Sequence, residues 1–229
     1  SAFTPALPVL MAARALMQKI HTDLTFDPAS TEVSTPALEA LAQGKGVCQD
    51  FAHIMLGCLR SLGLPARYVS GYLLTQPPPG KPRLIGADAS HAWVALYVPL
   101  PAGFEPASDA PLSGAGAWFD FDPTNNRCGW GSPGEDYVTL AVGRDFSDVS
   151  PMRGVIQGGA QHELEVAVTV APPDEWDQLA TRVPAPVCTD TPSRSRLGTS
   201  VTARPDAPVV EHIQTQSQSQ SQSQFSALG

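Results

Sequence analysis

Residues 44–53 read GKGVCQDFAH, and how Cys48 is understood within them decides the fold. From Cys48 onward Phe51, Ile54, Met55, Cys58, Leu59 and Leu62 recur at intervals of three and four, the period of a helix with one buried face. Gly63 follows, where a left-handed cap would end such a helix. Gly44 and Gly46 precede it, so the backbone can turn sharply into Cys48 and leave room for an approaching group. A cysteine in that place is one of two things. It is a small apolar residue at the start of a buried helix, or a nucleophile held where unpaired N–H groups and the helix dipole favour a thiolate.

The pattern on either side separates helices from strands. Upstream, VLMAARALMQKIHTDL (9–24) puts Val9, Ala13, Leu16, Met17, Ile20 and Leu24 on one helical face. Thr35 and Pro36 make an N-cap and first-turn pair for a short helix, TPALEALAQ, with Gly44 as its stop. Downstream the period changes to two. ARYVSGYLL (66–74), HAWVALYV (91–98) and AWFDFD (117–122) are rich in aromatic and β-branched residues and read as strands, as do DYVTLAV (136–142) and HELEVAVTV (162–170). The Pro- and Gly-rich segments 77–82 and 99–116 separate the first three. Helices first and strands later, without crossover helices, predict an α+β fold with a mostly antiparallel sheet and exclude a doubly wound parallel one.

Composition narrows the function classes. The chain has 229 residues, 42% of them apolar and 16% charged, so most of it can bury a core. A net charge of −8 without clustered Lys or Arg argues against a nucleic-acid partner. The longest apolar runs are too short to span a bilayer, so no membrane partner is expected. No charged segment followed by an apolar one opens the chain, so no secretory leader is expected either. The cysteines, at 48, 58, 128 and 188, form no C-x-x-C pair, which suits free thiols in a reducing cytoplasm. Past Pro172 the composition shifts to Pro, Ser, Thr and Gln and ends in SQSQSQSQ (217–224). Such a stretch buries too little surface to offset chain entropy, so residues 1–171 are expected to form the core and 172–229 a disordered tail in which Cys188 is incidental.

Three residues in order could carry chemistry. Cys48 starts a helix, His91 opens a strand in Ser90-His91-Ala92-Trp93, and Asp122 closes one in FDFDPTN (119–125). An imidazole can take a thiol proton and return it to a leaving amine, and a carboxylate can hold that imidazole in its working orientation. Asp120, on the same strand face by the period of two, is the rival partner for His91. Asp50 reads as a helix-supporting acid, Trp93 and Tyr72 as packing residues, His53 as a structural histidine and Asn125 as a turn residue. No metal-ligating pattern of the H-E-x-x-H type and no EF-hand loop is present, so no metal and no cofactor is expected.

Together, G-x-C-x-D-x-A (46–52), LRSLGLPARYVSGYL (59–73), HAWVALYVP (91–99) and WFDFDPTN (118–125) resemble the bacterial transglutaminase-like core, a circularly related cousin of the papain-type cysteine protease fold. The resemblance covers roughly residues 9–171 and rests on four separated motifs in the family's order. It implies Cys48 as catalytic cysteine, His91 as catalytic histidine and Asp122 as catalytic aspartate, with the backbone N–H of Cys48 in the oxyanion hole. Many members of that group carry an N-terminal β-rich domain, which a chain starting this close to the core is not expected to contain. The expected activity is acyl transfer on amide or peptide bonds of a protein or peptide substrate through a thioester, by hydrolysis rather than crosslinking. The alternatives are γ-glutamyl transfer from protein glutamine to an amine, or a non-catalytic peptide-binding module.

Overall fold

In the computed structural model, residues 3–4, 6–100, 112–113, 116–150, 166–181 and 210–214 are described. The helices form where the apolar period is 3.6. α1 (Val9–Asp23) buries Ala12, Ala13, Met17 and Ile20. After β1 (Thr25–Phe26) comes the short α2 (Ala37–Gln43), which ends at Gly44 in the left-handed region, φ +68°. β2 (Lys45–Gly46) pairs in parallel with β1 and delivers the chain to α3 (Cys48–Ser61). α3 buries Phe51, Ile54, Met55 and Leu59, as its spacing predicts, and Ala52 and Leu56 beside them, whereas Cys58 is only half-buried. Leu62 lies just past the helix end and is exposed, so the buried stripe stops at Leu59.

Thr35 does not cap α2. Pro36 holds the cap position with extended backbone, and the Thr35 hydroxyl instead accepts the Glu32 N–H at 2.9 Å. The turn before the helix uses the side chain that the sequence assigned to the helix itself.

The strands follow where the period is two. β3 (Ala66–Leu73), β4 (Ser90–Pro99), β5 (Leu112–Ser113), β6 (Gly116–Asp122), β7 (Arg127–Trp130) and β8 (Tyr137–Gly143) form one sheet in the order β5-β6-β4-β3-β8, with β7 on β6. The pairs β3/β4, β4/β6, β5/β6 and β6/β7 are antiparallel. α4 (Phe146–Val149) follows β8. The helices lie on this sheet: Met17 and Ile20 of α1, Phe51, Met55 and Leu59 of α3, and Tyr68, Val94, Leu96 and Phe121 of the strands share one core. The fold class is therefore α+β with a largely antiparallel sheet, as the change of period predicts.

Two compact units divide the chain, one of Ser1–Tyr72 with Ser90–Val155 and the other of Leu73–Ala89 with Ile156–Gly229. In the second, β9 (Val166–Val170) pairs antiparallel with β10 (Val210–Gln214), and α5 (Pro173–Ala180) lies between them in sequence. Asp88 ties its own segment to β9 by accepting the Val170 N–H at 2.7 Å. Within the stretch expected to be a tail, α5 and β10 are described, whereas SQSQSQSQ falls outside the described residues. No helix among the described residues is long and apolar enough to cross a membrane.

Candidate active site

The start of α3 is fastened by Asp50, three residues after the cap. Its carboxylate reaches back to accept the Val47 N–H at 2.9 Å and also accepts the Thr31 hydroxyl at 2.6 Å, and it is 1% exposed. One of the helix's free N–H groups is satisfied this way, and the carboxylate complements the positive end of the dipole. Gly46 makes the reach possible. A Cβ there would stand 2.7 Å from the Asp50 carboxylate oxygen, so this glycine leaves room for Asp50 rather than for an incoming group. Cys48 is the first residue of the helix, half-buried against the core, with a free thiol.

Across from it, β4 presents His91, 7% exposed. Its Nε2 meets Asp122 Oδ2 at 2.6 Å and the Asn125 amide nitrogen at 3.3 Å, and the Cys48 sulfur is near enough to act on the charge of the ring. With Nε2 committed to Asp122, Nδ1 is the ring nitrogen that Asp122 does not engage. Burial works against the charged ring, but the Asp122 carboxylate and the Cys48 sulfur outweigh it, and the imidazole is raised to about 10. Cys48, His91 and Asp122 thus belong to one neighbourhood, with the direct hydrogen bond lying between His91 and Asp122.

Asp122 is fully buried, and its two oxygens divide the donors around it. Oδ1 accepts the backbone N–H groups of Thr124 at 2.9 Å and Asn125 at 3.1 Å. Oδ2 accepts His91, the Asn125 amide at 2.8 Å and the Tyr137 hydroxyl at 2.7 Å. Burial alone would raise this carboxyl, but the charge of His91 and these hydrogen bonds bring it below the ordinary range. His21 of α1 holds the same turn from outside, its Nδ1 contacting the Thr124 carbonyl at 3.0 Å.

Asp120 goes elsewhere. Its Oδ2 accepts the Trp93 indole N–H at 2.9 Å. The β4/β6 register sets Ala95 opposite Asp120, so Trp93 reaches the acid diagonally. His91 and Asp122 repeat that diagonal two residues further along each strand, so each acid has its own partner. Gly71 of β3 lets Trp93 sit there, because a Cβ would stand 2.7 Å from its ring and 2.0 Å from the Val138 carbonyl oxygen of β8.

His53 is engaged elsewhere. Its Nε2 accepts the Phe146 N–H at 3.2 Å, its ring lies 5.0 Å from that of Tyr68, and burial lowers its basicity. Asn125, read from the sequence only as a turn residue, and Tyr137, which the sequence did not single out, are the further neighbours of Asp122. An Asp followed two and three residues later by N–H groups that fold back on it is a known turn pattern and could have flagged Asn125. Nothing local marks Tyr137. Among the described residues, no three His, Cys, Asp or Glu side chains gather as metal ligands would.

Residues 3–123 match the family model of the transglutaminase-like superfamily. An uncharacterized protein of Mycobacterium tuberculosis H37Rv is 41% identical over 172 residues, covering 74% of this chain and 50% of that protein. An uncharacterized protein of Mycobacterium leprae is 36% identical over 169 residues, covering 72% of this chain and 50% of its own. The chain thus spans about half the length of these curated relatives. A solved chain from Cytophaga hutchinsonii, described as a candidate cysteine protease, is 26% identical at a TM-score of 0.46, covering 64% of this chain and 40% of that one. That last likeness is too slight to carry weight.

Proposed function

This chain belongs to the transglutaminase-like superfamily, and we propose that it is a cysteine-dependent acyl-transfer enzyme acting on amide or peptide bonds. The observation that supports this reading is the 2.6 Å contact between His91 and the buried Asp122, with the Cys48 sulfur at the start of α3 near enough to act on the charge of the ring. On this reading the thiol proton resides on His91, whose charge Asp122 balances. The Cys48 sulfur attacks the carbonyl carbon, and the oxygen that becomes negative faces the Cys48 N–H at the helix start. His91 then gives its proton to the departing amine, the C–N bond breaks, and a thioester remains. Water attacks the thioester, His91 takes a proton from it, and the acid leaves with Cys48 restored.

Water is the proposed acceptor because it needs no binding site of its own, and no acceptor-binding segment stands out in the sequence. Transamidation would use the same three residues with an amine in place of water. Mass analysis of a glutamine peptide incubated with and without a primary amine separates the two. A free acid in both reactions supports hydrolysis, and an amine adduct supports transfer. A reducing cytoplasm, where thiols stay free, is the compartment this chemistry suits.

The test of the core proposal is iodoacetamide labelling with peptide mapping across pH, with Cys48→Ala and His91→Ala as controls. Preferential alkylation of Cys48 at mildly acidic pH, lost in His91→Ala, is the expected result. Reactivity of Cys48 no greater than that of Cys58 or Cys188 overturns the enzyme reading.

A further inference from the structure

We propose that Tyr137 is a positioning residue for this site, acting on His91 through Asp122; the inference rests on the reading of Cys48, His91 and Asp122 given above. Three donors converge on one carboxylate oxygen, Asp122 Oδ2: His91 at 2.6 Å, Tyr137 at 2.7 Å and Asn125 at 2.8 Å. The backbone N–H groups of Thr124 and Asn125 anchor Oδ1, and the donors on Oδ2 hold the other oxygen, the one that meets His91. Asn125 belongs to the same turn as Asp122 and moves with it. Tyr137 comes from β8, an end strand separated from β6 by β4 and β3 in the sheet order, and is the hydroxyl that ties Oδ2 to a different element.

The tyrosine is built to hold still. It is 8% exposed, and its ring packs edge-on against Trp93 at 5.3 Å and 83°. The Arg127 guanidinium lies 4.9 Å from the ring centre on the other contact and is itself gripped by Asp136 through two bonds of 2.6 Å. Burial and the neighbouring Asp122 charge push the Tyr137 hydroxyl far above its ordinary value, so it stays a protonated donor through the working range. For packing alone a phenylalanine would fill this place. The oxygen adds a donor aimed at the one acceptor atom that faces His91, where it favours the charged carboxylate and fixes its direction.

Tyr137→Phe removes that donor and keeps the ring. Asp122 then takes up a proton at higher pH, and the thiolate–imidazolium pair that depends on it is lost earlier on acidification. The experiment is the pH profile of Cys48 alkylation by iodoacetamide in the full chain, read by peptide mapping for native protein, Tyr137→Phe, Asp122→Asn and the double variant. The expected result is an acid-limb midpoint roughly half a pH unit or more higher in Tyr137→Phe, and no further shift when the same change is made in Asp122→Asn. Packing lost at Tyr137 would instead add to the effect of Asp122→Asn. A profile for Tyr137→Phe that superimposes on the native one, or additive effects in the double variant, overturns the inference while leaving the proposed nucleophile standing. Absence of preferential Cys48 alkylation in the native protein overturns both. Should Tyr137→Phe not fold, fluorotyrosine at position 137 alone strengthens the donor and is expected to move the midpoint to lower pH; no movement, or movement upward, sinks the idea.

Discussion

Asp120 and Asp122 stand two residues apart on β6, both buried, and their surroundings drive them in opposite directions. Asp122 has five donors, whereas Asp120 has the Trp93 indole on one oxygen and no hydrogen-bond partner on the other among the described residues. Burial therefore dominates at Asp120 and raises it to about 6, despite Trp93 and the charge of Arg67. Between its ordinary 3.8 and about 6 the folded protein holds a proton that the unfolded chain has released, so this residue's contribution to stability falls as pH rises through that window. Asp120→Asn keeps an acceptor for Trp93 and removes the titration. Urea unfolding at pH 4, 5, 6 and 7 is expected to show native stability falling relative to the variant by about 1–3 kcal/mol across the window. Parallel curves for the two proteins would rule out a raised Asp120. The sequence placed both acids on one face but had no means of separating them. The separation comes from the diagonal across β4 and β6, a matter of strand register that a single strand does not encode.

At the scale of elements, the start of α3 depends on how the chain enters it. The spacing of Phe51, Ile54, Met55 and Leu59 made α3 legible, as the alternation in residues 91–98 and 117–122 made β4 and β6 legible, because burial on one face leaves a periodic trace. Caps leave a weaker one. Thr35 beside Pro36 looked like the cap of α2 but serves the turn before it, and α3 is capped through Asp50 reaching back past Cys48, with Gly46 vacating the space. Gly46→Ala sets a methyl against that carboxylate and is expected to cost about 1–2 kcal/mol, the range of a lost helix cap. It should also slow iodoacetamide alkylation of Cys48, since the thiol rides on the first turn. Denaturant unfolding and alkylation rate measured on the same variant check the two effects. A variant as stable and as reactive as the native protein would show that Asp50 does not hold the helix start. Tyr137 was illegible for a different reason: its partner lies 15 residues earlier in another strand, and pairing at that range follows from packing rather than from local pattern.

For the whole molecule, joining Cys48, His91 and Asp122 from α3, β4 and β6 means that the site's ionisation is part of the fold's stability. His91 is held well above its ordinary 6.5, at about 10, with Asp122 the first of the groups that raise it. The folded chain thus keeps a proton on His91 that the unfolded chain loses near 6.5. The resulting stabilisation is complete below that pH and disappears as pH rises toward 10. Asp122 works in the opposite sense: held below its ordinary 3.8, it stabilises the fold above that value and ceases to do so on further acidification. In native protein the thiol's own proton enters the same count, so the cleaner comparison is made in Cys48→Ala. There the stability of the full chain, measured by denaturant unfolding from pH 6 to 10, is expected to decline with rising pH by up to about 1.4 kcal/mol per unit. Adding Asp122→Asn removes the counter-charge, brings His91 back toward its ordinary value and flattens the decline. If the slope is the same with and without Asp122, the 2.6 Å contact between the two side chains holds no imidazolium. The proton that the proposed chemistry hands to a leaving amine would then have to come from another group.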